Sequence, residues 1–379
     1  MSKYSTSHTM GCIRLIATNI VILSLVLVVI EGLASYVLLA RDIMTTHSLA
    51  ERRHTKYDPD LGWVNEPSVH MPNMYGPGVY LKTNSQGFRN NHEFDTVVPN
   101  GKHRIICSGD SFTLGYGVDN DHTWCQVLTS LDPRLETLNM GQGGYGVDQA
   151  YLWYKRDATK FEHQVHLLAF ITADFYRMQS DRFWGYGKPV IDIENGMLVV
   201  KNVPVPRRTY DLSWLTSNIQ NLRRLRAVEL LERASGKMGF APDNTGRLAK
   251  KGRDEKTRQV LRKIFEDLKR INEEHSSKLA LVYLPTLYEI RDNDPQEWMK
   301  WIEKESRDLG ILLINVLSTF RSWPYEDVIN MFISERQIKY PAATGHLNNQ
   351  GNEVVARAIY EALKNHPAFS QVLSLHQGD

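Results

Sequence analysis

The chain predicts an α/β protein: a three-layer α/β/α domain with a mostly parallel five-stranded sheet, preceded by an N-terminal transmembrane helix. Three observations carry this. Five short apolar runs, "RIICS" (104–108), "ETLNM" (136–140), "VHLLAFI" (165–171), "KLALVYL" (278–284) and "ILLINV" (311–316), are spaced along the chain. Helix-forming stretches lie between or after them, at about 122–131, 147–158, 255–275, 294–309 and 350–364. Apolar strands alternating with helices indicate a parallel sheet covered on both faces. The third observation is the segment Leu15 to Ala40, whose single charge is Glu31.

Taken in order, residues 1–14 form a short N-terminal tail and 15–40 a membrane anchor. At about 1.5 Å per residue that segment reaches roughly 39 Å, enough to cross a bilayer core of about 30 Å with tilt. Arg14 and Arg41 bracket it. A cleaved signal usually has a shorter apolar region, so a retained anchor is expected, with cleavage near "GLAS" as the alternative. Lys3 and Arg14 compete with Arg41, Arg52, Arg53 and Lys56 over orientation. The short tail before a long domain places that domain outside the cytoplasm, in a periplasm or at the cell surface.

Residues 41–60 are polar and charged, a stalk. The main domain is expected over 61–370. "KYDPDLGWV" and "GVYLKTNSQGFRNN" lead into it as short strands and turns. Val260, Leu261, Ile264, Phe265, Leu268 and Ile271 recur at helical spacing, a core-packing stripe. Between the third and fourth strands lies an insertion, about 180–275. It opens on a hairpin turning at Asn195–Gly196. It continues through a helical "WLTSNIQNLRRLRAVELLERA" and a polar loop around "GFAPDNTGRLAKKGRDEK". The basic group Arg247, Lys250, Lys251 and Arg253 reads as a solvated loop, or as a contact for an anionic glycan or lipid headgroup. Residues 371–379 form a C-terminal tail.

Composition narrows the function little. A net charge of +2 gives no argument for a nucleic-acid partner. The cysteines Cys12, Cys107 and Cys125 show no C-x-x-C spacing, so neither a metal knuckle nor a disulfide framework is expected. Cys107 reads as a small buried hydrophobe. No cofactor and no metal is called for.

The chemistry concentrates just past the strands, where open parallel sheets bind ligands. "GDSFTLGYGV" follows the first strand, "NMGQGGYGVDQ" the second and "TADFYR" the third; "ATGHLNNQGNEVVARAI" follows the fifth after a connecting segment. A serine on a tight turn, a glycine-rich turn, an acid–base pair and a histidine together make a candidate nucleophile site. A serine hydroxyl needs a neighbouring base, and imidazole has a suitable pKa.

These blocks resemble those of the SGNH/GDSL hydrolase family, over roughly residues 55 to 365. The resemblance implies an SGNH, flavodoxin-like sheet with Ser111 as nucleophile and His346 as general base. It implies the backbone N–H groups of Ser111 and Gly144 as oxyanion donors. Two positions depart from the family pattern. Ala173–Asp174 stands where the family has Asn–Asp, so the side-chain oxyanion donor is missing. Ala343 and Thr344 stand where the family places an aspartate before the histidine. A backbone carbonyl or an acid from elsewhere is then needed to orient the imidazole. Asp110, Asp174 and Arg177 are auxiliary candidates: Arg177 as the substitute donor held by Asp174, or both as a structural ion pair.

The expected activity is a membrane-anchored serine esterase acting on acyl or acetyl esters, on a small molecule, a lipid or a cell-envelope carbohydrate. Two alternatives stay open. One is acyl transfer to a glycan hydroxyl by the same site. The other is a glycan-binding or assembly protein whose site has decayed.

Overall fold

The computed structural model describes residues 3–44, 54–183, 186–206, 243–291, 297–334 and 340–374. The chain divides into two compact units: one comprises Leu49–Arg208 with Lys250–Asp379, and the other holds the apolar N-terminal helix. That helix runs Lys3–Met44. Its span Arg14–Leu38, 25 residues with a mean hydropathy of 2.5, is long and apolar enough to cross a membrane or to serve as a signal sequence. Leu15, Leu25 and Leu33 are each exposed by 60% or more. An apolar surface of that extent calls for lipid or a partner rather than water.

The larger unit begins with two hairpins. β1 (Thr55–Asp58) pairs antiparallel with β2 (Gly62–Asn65), and β3 (His70–Gly76) with β4 (Val79–Lys82). β1 thus lies inside the stretch expected as a stalk. Tyr57 and Trp63 pair across this hairpin and Trp63 packs on the core, so the short strands read in "KYDPDLGWV" are present and begin a few residues inside the stretch given to the stalk.

The central sheet follows: β5 (His103–Gly109), β6 (Leu135–Gly141) and β7 (Val165–Phe170). Two small hairpins interrupt it, β8 (Arg182–Phe183) with β9 (Tyr186–Gly187), and β10 (Val190–Glu194) with β11 (Met197–Lys201). β12 (Lys278–Tyr283) and β13 (Leu312–Asn315) complete the set. The sheet order is β13-β12-β7-β5-β6, parallel throughout. All five predicted strands are present. Every residue of β5 and β7 is buried, as expected where both faces are covered.

Helices Trp124–Leu131 and Asn349–Asn365 pack together, with Asn352 Oδ1 accepting from the Trp124 N–H at 3.0 Å. A second group contains Val147–Asp157, the helix ending at Glu274, and Glu297–Leu309. Tyr151 donates to Asp267 at 2.6 Å, and Phe265 faces Trp301. The stripe from Val260 to Ile271 is buried throughout, each large apolar side chain contributing about 1.5–3 kcal/mol.

The Asn195–Gly196 turn is present, with φ of 51° and 77°, the left-handed pair a two-residue hairpin requires. The polar loop expected around 239–256 is corrected: a helix runs from Asp243 through to Glu274. Its Arg, Leu, Ala, Lys and Glu residues favour helix strongly enough to carry Gly246 and Gly252, each costing about 1 kcal/mol. The basic group therefore lies on a helix, with Arg253 exposed. The expected helix over 214–234 falls outside the described residues.

Two neighbours of β5, namely β6 and β7, lie on opposite sides of it. The chain reverses direction across the sheet there, and the loops leaving β5 and β7 flank a crevice at their carboxyl ends.

Candidate active site

The loop leaving β5 enters a one-turn helix, Ser111–Leu114. Asp110 caps it, accepting from the Phe112 N–H at 2.9 Å. Ser111 is thereby the first helical residue, with its N–H directed away from the helix ladder. Gly115 ends the turn with φ +90°. The buried Arg89 guanidinium fixes the chain on leaving this turn, donating to the carbonyls of Leu114, Gly115 and Val118 at 2.5 Å each. Burial lowers the Arg89 pKa.

His346 arrives from the far end of the sequence. Its carbonyl accepts from Ile333 N–H at 2.8 Å, and Gly345 N–H donates to Ile333 at 2.8 Å. Asn348 then caps the helix Asn349–Asn365 through Gly351 N–H at 3.0 Å. The outcome is one short contact: His346 Nε2 lies 2.7 Å from Ser111 Oγ. Burial pushes the imidazole down to about 4; Arg177 adds to this, while Asp110 and the carbonyls of Ala343 and Thr344 oppose it. The ring is neutral at pH 7, the form that accepts a proton. Its Nδ1 is buried without a hydrogen bond among the described residues. No acid from elsewhere in the described chain fills the place left by Ala343 and Thr344.

The glycine block lies between β6 and the helix Val147–Asp157. Gly144 has φ +77°, and a Cβ there would strike the Phe183 ring. Only glycine suits both demands. Trp63 Nε1 donates to Gly143 O at 2.9 Å, and Tyr145 Oη donates to Trp63 O at 2.5 Å, so the first hairpin pins this loop. Among the described residues, neither the Ser111 N–H nor the Gly144 N–H meets an acceptor.

After β7, the helix Thr172–Arg177 brings Asp174 and Arg177 to the site. Arg177 Nη1 donates to Asp110 Oδ2 at 3.0 Å, to Tyr145 O at 2.9 Å and to Asp174 Oδ1. Asp110 Oδ2 also lies 3.4 Å from Ser111 Oγ. Burial, then the charge of Asp110, holds the Asp174 carboxyl well above its ordinary range. Burial works against the Arg177 charge, but Asp174 and Asp110 outweigh it and its pKa is raised. Nε and Nη2 of Arg177 make no hydrogen bond among the described residues, and the guanidinium carbon stands 5.2 Å from the Phe183 ring centroid. Ala173 contributes no donor.

All six sequence-level candidates therefore belong to one site: Ser111 with His346, Asp110 with Arg177 and Asp174, and Gly144 on the adjoining loop. Sequence reasoning missed Arg89, Trp63, Phe112, Tyr116 and Phe183. Phe112 and Tyr116 stood in the serine block itself. What drew attention there was the serine, although aromatic residues one and five places beyond it were the available signal. Among the described residues, no cluster of His, Cys, Asp and Glu is arranged to hold a metal ion.

No protein-family model matches the chain, and no curated protein sequence matches it. Among solved structures, it is similar to a lipolytic protein of the G-D-S-L family from Veillonella parvula, 13% identical with a TM-score of 0.38, over 70% of this chain and 100% of that one. It is similar to an acetyl xylan esterase, 14% identical with a TM-score of 0.38, over 69% of this chain and 99% of that one. It is also similar to an acetylxylan esterase from Geobacillus stearothermophilus, 12% identical with a TM-score of 0.37, over 69% and 93%.

Proposed function

We propose that this chain is a serine esterase acting through Ser111 and His346. The observation that supports it best is the 2.7 Å contact between Ser111 Oγ and a neutral His346 Nε2, at the reversal point of the sheet. His346 takes the hydroxyl proton as Ser111 Oγ bonds to the ester carbonyl carbon. The carbonyl electrons move to the oxygen, where the N–H groups of Ser111 and Gly144 receive the charge. The C–O bond to the alcohol then breaks, and the imidazolium returns its proton to the departing oxygen. Water, deprotonated by His346, adds to the acyl carbon; the bond to Ser111 Oγ breaks and the imidazolium returns the proton to that oxygen, releasing the acid and restoring the serine.

Arg177 takes the place of the missing asparagine donor in this reading. One of its nitrogens is committed to Asp110 and Asp174, which leaves Nε and Nη2 for the oxyanion side. Guanidinium keeps its charge and presents a rigid fork, which suits that role.

The substrates we assign are acyl or acetyl esters on a cell-envelope carbohydrate. The ester chemistry rests on the site; the cell-envelope carbohydrate rests on the resemblance of the sequence blocks to the SGNH/GDSL family together with the apolar N-terminal helix, read as a retained single-pass anchor with the domain outside the cytoplasm. Hydrolysis of a small activated acetate ester tests the activity: turnover that survives Ser111→Ala would refute it. Release of the full-length chain from membranes by alkaline carbonate would refute the anchor.

A further inference from the structure

The base in this site lacks the partner that normally aims it. The carbonyls of Ala343 and Thr344 lie within reach of the imidazole and raise its pKa, but His346 Nδ1, although buried, makes no well-formed hydrogen bond among the described residues. An imidazole attached at Cβ turns about two bonds, and one contact to Ser111 does not fix the ring plane. The ring faces are where the structure supplies contact. The Phe112 ring lies 4.5 Å from the imidazole, centroid to centroid, inclined at 31°. The Tyr116 ring lies 5.3 Å away at 45°.

Both aromatic residues come from the nucleophile's own turn. Tyr116 is itself immobilised, its ring meeting Tyr340 edge-on at 5.5 Å and Tyr75 at 6.0 Å. Arg89 holds the carbonyls of Gly115 and Val118 on either side of it. A Cβ on Gly143 would collide with the Tyr116 hydroxyl oxygen, so the same phenol packs against the glycine block. One side chain thus touches both the base and the loop carrying the oxyanion donor.

We propose that Phe112 and Tyr116 take over the orienting work of the absent acid, as positioning residues that hold the His346 ring by its faces. This rests on the reading of His346 as the base. Each such ring contact is enough to favour one rotamer several-fold. The clamp differs from an acid in one consequence. It aims the ring without adding negative charge and keeps water off it. The charged groups facing the imidazole are Asp110 and Arg177, which act in opposite senses.

The test is turnover of an activated acetate ester against pH by the full chain, for wild type, Tyr116→Ala, Tyr116→Phe, Phe112→Leu and His346→Ala. Tyr116→Ala should lower kcat by about 3–10-fold with KM held, the rotamer preference that one ring contact supplies. Its acid limb should also rise from about 4 toward the ordinary histidine value of about 6.5, because the opened face admits water. Tyr116→Phe should recover most of the lost rate and the low limb, and Phe112→Leu should move both readouts in the direction of Tyr116→Ala. A wild-type kcat in Tyr116→Ala, or a lowered kcat with an unmoved acid limb, would overturn the clamp while an inactive His346→Ala leaves the base in place. An active His346→Ala would overturn the underlying reading itself.

Discussion

Ser108 Oγ lies 2.6 Å from His166 Nε2, a second serine–histidine contact as short as that between Ser111 and His346. It is sealed in the core. Asn272 Nδ2 stands 3.3 Å from His166 Nδ1, and the Tyr154 ring stacks on the imidazole at 3.6 Å. No substrate reaches such a pair, so contact distance alone does not make a nucleophile. Position at the carboxyl end of β5 separates Ser111 from Ser108, which is still within the strand.

This buried network makes stability depend on pH. The Tyr154 hydroxyl meets His163 Nε2 at 2.8 Å in the same network, and burial pushes His163 down to about 4 and His166 well below its ordinary value. In the unfolded chain both return to about 6.5, so between roughly pH 6.5 and 4 the unfolded state binds more protons. Stability is therefore complete above pH 6.5 and falls as pH drops through that window. The slope reaches about 1.4 kcal/mol per pH unit for each histidine that stays neutral when folded. Denaturant midpoints measured from pH 7 to 4.5 check this. A flat profile would mean that these rings are not held neutral by the fold.

Activity should follow a different pH limit from an ordinary histidine enzyme. Burial depresses His346 to about 4, so the active neutral form persists on acidification. We expect kcat for an activated ester to hold from pH 8 to about 5 and to fall only below that. A half-maximal point near 6.5 would contradict the environment described for the ring.

The oxyanion side gives a directional test. If Arg177 supplies the third donor, Arg177→Ala should lower turnover by about 10²–10³-fold, the scale of one lost donor. Ala173→Asn should then help little. Wild-type turnover in Arg177→Ala, with a large gain in Ala173→Asn, would leave the site with backbone donors alone.

Lys188 and Asp148 form an ion pair with both side chains fully buried, joining the segment before β10 to the helix that follows the glycine block. Lys188→Met strands the Asp148 carboxylate and should cost about 3–5 kcal/mol of unfolding free energy. Adding Asp148→Leu removes the stranded charge and should restore a large part of it. Equal stability of wild type and Lys188→Met would show that the pair carries no such weight.

The sheet was legible because strands buried on both faces are written as continuous apolar runs, and each run became a strand at nearly its expected bounds. The placement of Ser111 and Gly144 just past strands, and of His346 in a block beyond a connecting segment after the last strand, could be read from the sequence because each lies in a distinctive block. The contacts that organise the site could not. Arg89 acts through backbone carbonyls some 25 residues away, and Trp63 holds Gly143 across 80 positions. Such pairings leave no local period. The helix beginning at Asp243 was hidden differently, because its glycines and charges read as loop until its stripe from Val260 anchored it.

The central claim, that Ser111 is the nucleophile and His346 its base, is tested most directly by labelling with a serine-directed fluorophosphonate and mapping the adduct by mass spectrometry. We expect one adduct on Ser111 in the wild type, none in Ser111→Ala, and labelling slowed by about 10²–10⁴-fold in His346→Ala. Equal labelling of wild type and Ser111→Ala, or an adduct on a different serine, would contradict it.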